Sequence, residues 1–155
     1  MEKLRLALLL LGLAGLFTSL SLLGEHYQES GAMFCDASAR VNCDVVNKSP
    51  YAQVLGVPVA LLGILHYAFV ILAAILIPRL EGRRGSARRA LLLSRALLAE
   101  LLFAFLFSLY LGWVQAARIG VFCPLCLFSL ALTTTLFILA IPWRRSRRPS
   151  HRRSR

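Results

Sequence analysis

Long apolar runs alternate along the chain with short polar and basic segments. Four runs reach the roughly 20 residues that a helix needs to cross hydrocarbon about 30 Å thick: about Leu4 to Leu23, Gly56 to Ile77, Ala90 to Val114 and Val121 to Ile141. The first run has no small-residue cleavage site before Glu25, which favours an uncleaved helix over a signal peptide. The pattern predicts an all-α integral membrane protein, a four-transmembrane-helix bundle.

Composition supports one membrane unit. With 155 residues, 58% of them hydrophobic and 16% charged, the chain is too apolar for a soluble domain of its length. We expect a single membrane domain over residues 1–143, followed by a disordered basic tail, 144–155, that lies against anionic lipid. The net charge of +11 does not indicate nucleic acid, because the basic residues flank apolar runs without a base-recognition motif.

The basic residues also predict the orientation of the bundle. Of the 18 Lys and Arg residues, all but Arg40, Lys48 and Arg118 fall on one side of the predicted spans. The positive-inside rule places that side, with both termini, in the cytoplasm. The segments 24–55 and 115–120 then face outward, toward the periplasm or its equivalent, where disulfides persist.

Four cysteines form two pairs at the outer side. Cys123 and Cys126 lie one helical turn apart at the start of the fourth span, close enough for a reversible disulfide. Pro124 suits a first helical turn, and the positive helix end lowers a thiol pKa. Cys35 and Cys43 flank a polar outer segment, which predicts a mobile, solvent-accessible pair that can exchange with the first.

Two other uses of the cysteines remain open. Four thiols can bind one zinc ion, but C-x7-C and C-x2-C divided between a loop and a membrane helix are poor structural-zinc spacings. Both pairs can also be structural disulfides, although a bridge within one helical turn constrains the fold very little.

At these residues the chain resembles the vitamin K epoxide reductase family, in its small stand-alone form, over nearly its whole length. The similarity rests on the span count, the loop segment from Cys35 to Cys43, the Gly56-Val57-Pro58 entry to the second span, and Cys123-Pro124-Leu125-Cys126 heading the fourth. The resemblance implies a membrane oxidoreductase whose bundle surrounds a quinone of the ubiquinone, menaquinone or vitamin K type. The Gly56 entry is similar to bacterial members of the inner membrane, which couple disulfide formation to quinone reduction.

The resemblance also implies roles for single residues. Cys126 would lie nearest the quinone, and Cys43 would relay electrons to Cys123. The Cys35 pair would exchange with a thioredoxin-like, or DsbA-like, partner acting in trans. Ser49 resembles a serine that many members carry after the loop pair.

Two aromatic residues join the predicted quinone contacts. Phe122 adjoins Cys123, and Tyr110 lies near the outer end of the third span. A quinone ring needs flat apolar walls, so we expect both side chains, with Ser49, to contact it.

One departure keeps alternatives open. Ser129-Leu130-Ala131 stands where coumarin-sensitive members carry Thr-Tyr-Ala. Vitamin K epoxide reduction proper is therefore an alternative function, and a non-enzymatic scaffold held by disulfides is another. The other bacterial quinone-coupled disulfide oxidase carries its C-x-x-C in the first outer loop, the reverse of the order found here.

His66 and Glu100 are ionisable residues inside the predicted spans. Each lies about ten residues deep, near mid-membrane, where an ionisable group faces the protein interior or a cavity. We expect them to pair. A hydrogen bond that locks two helices is the interpretation that the sequence favours, and a proton route for the quinone is the alternative.

Overall fold

Four long helices dominate the computed structural model, which describes residues 2–27, 35, 38–83 and 85–145. All four are long and apolar enough to cross a membrane, which confirms the predicted fold class. In chain order the elements are α1 (Glu2–Tyr27), α2 (Cys43–Asn47), a 3-10 turn (Pro50–Ala52), β1 (Gln53–Val54), β2 (Val57–Pro58), α3 (Val59–Glu81), α4 (Ala87–Val114), a π-helical turn (Gln115–Ile119) and α5 (Pro124–Arg145).

The boundaries differ from the predicted spans where local backbone chemistry intervenes. Gly56-Val57-Pro58 belongs to a hairpin in which β1 and β2 pair, so α3 begins only at Val59. The two residues of the hairpin turn, Leu55 and Gly56, have φ angles of 52° and 81°, as a tight two-residue turn requires. Helix α5 begins at Pro124 as expected and continues to Arg145, so the predicted tail is helical at 144–145. The remaining tail lies outside the described residues.

The long helices form a closed ring. Helix α1 packs against α3 and α5, and α4 packs against the same two helices from the other side. Small residues allow the close approach of α1 and α3: a Cβ atom at Gly15 would lie 2.1 Å from the ring of Tyr67. Such interfaces between small and large side chains are typical of membrane helices, where van der Waals contact drives association.

The outer surface of the ring is apolar. Phe17, Leu10 and Ile138 are 73%, 58% and 59% exposed. Lipid tails are as apolar as these side chains, so their exposure carries no penalty in a membrane.

The interior has two clusters of buried residues. The larger one fills the middle of the ring and the end that carries the α3–α4 connection: Leu8, Tyr67, Val70, Ala73, Ala74, Ile77, Leu97, Leu101, Leu132, Leu136, Ala140 and Trp143. The smaller one, at the opposite end, comprises Leu22, Cys35, Cys43, Val46, Ala60 and Cys123. We call that opposite end, where α1 stops and α3 and α5 begin, the cysteine end.

Candidate active site

The two cysteine pairs meet at the cysteine end. Cys35 and Cys43 form a disulfide, whereas Cys123 and Cys126 are thiols. The Sγ atom of Cys123 lies 3.2 Å from the Sγ atom of Cys43. Thiol–disulfide exchange requires a thiolate to reach a disulfide sulfur, and this contact brings the two atoms together.

The loop pair is buried, so the expectation that it is solvent-accessible was wrong. Cys35 is 6% exposed and Cys43 is 0% exposed. The reason is a backbone pairing: the amide of Asn42 donates to the carbonyl of Phe122 at 3.0 Å, and the amide of Phe122 donates to the carbonyl of Arg40 at 2.9 Å. These bonds fasten the loop to the segment before α5 and hold Cys43 within the bundle.

Cys123 occupies the position just before α5. Its amide donates to Oε1 of Gln115 at 2.8 Å, and its sulfur accepts from the amide of Cys126 at 3.2 Å. Gln115 is itself only 3% exposed and belongs to the π-helical turn that follows α4. The wider turn lets the glutamine side chain reach back toward the C-x-x-C segment.

The hydrogen bond from the Cys126 thiol is the main cause of a lowered pKa at Cys123, and it outweighs the burial that raises this pKa. The sequence predicted a low pKa from the helix end, and bonds from the backbone amides of Cys126 and Leu125 add to the effect. A low pKa enlarges the thiolate fraction at neutral pH. Cys123 is therefore suited to exchange with Cys43, as the attacking thiolate in one direction and the leaving thiolate in the other.

Glu25 is a buried acid that lies beside the sulfur atoms, a placement that the sequence did not indicate. It is 4% exposed, and its carboxylate and the sulfurs of Cys35 and Cys43 all lie within 4.8 Å of one another. Its negative charge disfavours a second charge nearby, and it acts to raise the pKa of Cys123 against the bond from Cys126. In the sequence Glu25 resembles an ordinary helix-end residue, so nothing indicated this placement.

A cavity of about 470 Å³ lies next to these sulfurs, between α3, α4 and α5. Of the four cysteines, Cys126 alone lines it. Most of the lining is apolar, from residues such as Leu62, Phe103 and Leu130. Pockets for small cofactors typically have about 300–1,000 Å³ and this mixture of apolar walls with few polar groups, so the cavity fits a quinone ring.

The structure brings one of the three predicted quinone contacts to the cavity. Ser49 lines it, and its hydroxyl donates to the carbonyl of Val46 at 2.7 Å. Phe122 and Tyr110 do not line it. The side chain of Phe122 is 40% exposed, and its backbone pairs with the loop; Tyr110 is 50% exposed and stacks on Trp113 at 6.2 Å between ring centroids.

Three polar groups of the cavity form a network that the sequence did not reveal. The Tyr67 hydroxyl lies 2.8 Å from Oγ of Ser129 and 3.1 Å from Oγ1 of Thr133. This network joins α3 to α5 inside the bundle. Tyr67 stands within an apolar run, where an aromatic residue ordinarily indicates packing alone.

His66 and Glu100 form the predicted pair. Nδ1 of His66 lies 2.5 Å from Oε1 of Glu100, which links α3 to α4. Both residues line the cavity. The pairing expected from their depth in the spans is confirmed.

Comparison with models of known protein families gives a match over most of the chain. The sequence model described as the vitamin K epoxide reductase family matches residues 6–141, from within the first span to within the last. No curated protein matches the chain significantly.

Proposed function

Because the chain belongs to the vitamin K epoxide reductase family, we propose that it passes electrons from an extracytoplasmic dithiol protein, through its cysteine pairs, to a quinone. The family comprises membrane oxidoreductases with quinone-linked disulfide chemistry. The observation that carries the proposal is the 3.2 Å contact between the sulfurs of Cys43 and Cys123. Cys126, the other member of the second pair, lines the cavity.

The relay consists of two exchanges. A partner dithiol reduces the Cys35–Cys43 disulfide and becomes a disulfide itself. The Cys43 thiolate then attacks Cys123 in a Cys123–Cys126 disulfide, and Cys126 leaves as a thiolate. Cys35 attacks Cys43, which releases Cys123 and restores the loop disulfide. The arrangement in the structure, with the loop pair oxidised and the second pair reduced, corresponds to the end of this exchange.

The second pair then delivers the electrons to the cavity. A bound quinone accepts two electrons and two protons. Cys126 supplies the sulfur at the cavity wall, and oxidation of the Cys123 and Cys126 thiols to a disulfide would supply these two electrons and release two protons. The apolar lining excludes water from this step, while Ser49 and the Tyr67 network offer hydrogen bonds for polar groups.

The sidedness of the reaction rests on charge. Arg79 and Arg83 lie at the end of the bundle opposite the cysteines, together with the N-terminus of α1. The positive-inside rule places that end in the cytoplasm, and the cysteine end then faces the periplasm or its equivalent. We propose a bacterial inner-membrane protein of one domain, 1–143, that works with a thioredoxin-like partner.

Because the loop disulfide is buried, the partner must bind where the loop opens. The pairing of Arg40 and Asn42 with Phe122 comprises two backbone bonds, which a docking protein can replace with its own. Local opening of such an element requires little free energy compared with unfolding of the bundle.

The function is tested with purified protein in bicelles, a reduced thioredoxin-like protein and either ubiquinone or menaquinone. We expect one quinol for each partner disulfide formed, and none with Cys126→Ala. Thr135→Ala is the matched control, since Thr135 is exposed and its hydroxyl donates to the carbonyl of Ala131. Absence of quinol with both quinones, or stoichiometric zinc in the purified protein, would contradict the proposal.

A further inference from the structure

We propose that His66, paired with Glu100, donates a proton to the carbonyl oxygen of the quinone that lies farther from Cys126. His66 is the donor, and Glu100 is a positioning residue that orients the imidazole. The inference rests on the proposed function, because it assigns a role to two polar residues that line the cavity in which we place the quinone.

One ring nitrogen of His66, Nε2, is available to a ligand in the cavity. Nδ1 of His66 is engaged with Glu100, whereas Nε2 is buried and has no hydrogen-bond partner among the described residues. The His66 side chain is only 9% exposed and lines the cavity. A buried polar atom normally has a partner, so a ligand group in the cavity is the expected one.

His66 also lies deeper in the bundle than Cys126, along the same cavity. Ser129 follows Cys126 by three residues on α5, about one helical turn deeper. The Tyr67 hydroxyl bonds to Ser129, and the ring of Tyr67 contacts that of His66 with centroids 4.6 Å apart. His66 therefore lies roughly a turn beyond Cys126 along the same cavity, a separation comparable to the width of a quinone ring.

The chemistry of the cavity wall also supports the proposal. Ser49, Asn47 and Thr133 can form hydrogen bonds with a ligand but do not release protons near neutral pH. Tyr67 is already engaged with Ser129. An imidazole can release a proton near neutral pH, which suits it to general acid catalysis.

A purely structural link between two helices does not explain why the linking residues are a histidine and a glutamate. Ionisable side chains in a membrane span are expensive, and serine, threonine or asparagine would join two helices without that penalty. An imidazolium–carboxylate pair has zero net charge and still holds a transferable proton. Reduction of a quinone inside the membrane requires such a proton.

The protons and electrons of the proposed reaction balance. Oxidation of Cys123 and Cys126 to a disulfide releases two electrons and two thiol protons. Conversion of the quinone to the quinol takes up two electrons and two protons. His66 supplies one of the quinol protons and the thiol pair supplies the other. The second thiol proton passes to water, and His66 takes up a proton from water, so the His66–Glu100 pair is unchanged over a full cycle.

The substitution His66→Gln separates proton donation from a helix lock. In His66→Gln the amide still donates to Glu100, so a lock alone predicts normal quinol formation. Our proposal predicts that quinol formation falls by about 100-fold or more, since loss of a general acid typically has this effect. The thermal midpoint should match that of wild type, and the rate at which the partner reduces the loop disulfide should remain within about twofold of wild type. Quinol formation at the wild-type rate in His66→Gln would overturn the proposal.

Infrared spectra of bound quinone give a readout that does not depend on turnover. A hydrogen bond from His66 lowers the stretching frequency of one carbonyl group, and His66→Phe should abolish that shift. Arg95→Gln is the control, because Arg95 is an exposed cation on α4 that does not line the cavity. Identical carbonyl frequencies in wild type and His66→Phe would refute the contact. If wild type itself forms no quinol, the proposed function fails instead.

Discussion

The Sγ atoms of Cys43 and Cys123 lie 3.2 Å apart, although 80 residues separate them in the chain. Backbone pairing of the loop with Phe122 maintains this contact at one end, and Gln115 holds Cys123 at the other. The sulfurs are thus arranged for exchange before any partner binds.

The hydrogen bond from Cys126 controls the acidity of Cys123. Because the donor stabilises the thiolate, Cys126→Ala should raise the pKa of Cys123, whereas Cys126→Ser retains a donor and should keep this pKa low. With the Cys35–Cys43 disulfide intact, Cys123 is the one thiol left to titrate in both variants. Ultraviolet thiolate absorbance should therefore appear at lower pH in Cys126→Ser than in Cys126→Ala. Equal midpoints would show that the hydrogen bond is not the cause.

Glu25 should act on the same titration in the opposite direction. Its carboxylate raises the pKa of Cys123, so Glu25→Gln in the Cys126→Ser background should move the thiolate midpoint to lower pH. Glu81→Gln, a change of the same kind at the other end of the bundle, serves as the control and should leave the midpoint in place. An unchanged midpoint in Glu25→Gln would mean that Glu25 carries no charge at the pH of the titration.

Gly15 determines how closely α1 and α3 approach. A Cβ atom at this position would meet the Tyr67 ring, so Gly15→Ala should lower the free energy of unfolding by about 1–3 kcal/mol, the usual cost of overpacking. At Gly24 a Cβ atom meets nothing within 4 Å, and Gly24→Ala should have little effect. Equilibrium unfolding in mild detergent measures both variants. Equal stabilities would show that the two helices can separate at this point without loss.

Gln115 should stabilise the protein through its hydrogen bond with the Cys123 amide. Gln115→Ala leaves the buried amide of Cys123 without its acceptor, which should cost about 1–3 kcal/mol of stability. Gln53→Ala, at an exposed glutamine in the hairpin, is the control. Hydrogen exchange at the Cys123 amide should accelerate in Gln115→Ala and not in Gln53→Ala. Equal exchange rates in both variants would contradict a specific role for the Gln115 side chain.

The features that sequence predicted are those encoded in local pattern. Apolar runs long enough for lipid gave four spans, and Pro124 marked the start of α5. The depths of His66 and Glu100 in their spans were sufficient to predict that they pair, since each helix rises by a fixed distance per residue.

The features that sequence did not predict depend on contacts between distant segments. The polar residues after Cys35 suggested an exposed loop, but backbone bonds to Phe122 bury the pair, and a backbone bond leaves no mark on composition. Tyr110 was expected beside the quinone because it is aromatic and near the correct depth. Its position on α4 turns it outward, toward Trp113, and depth alone does not determine which face of a helix a residue occupies.

Oxidative cross-linking tests the contact between Cys43 and Cys123 most directly. Two double variants each leave one loop cysteine with Cys123: Cys35→Ala with Cys126→Ala retains Cys43, and Cys43→Ala with Cys126→Ala retains Cys35. Mild oxidation followed by mass spectrometry of the digested protein should show rapid cross-linking in the first variant and little in the second. Efficient cross-linking of Cys35 to Cys123, with none from Cys43, would contradict the relay.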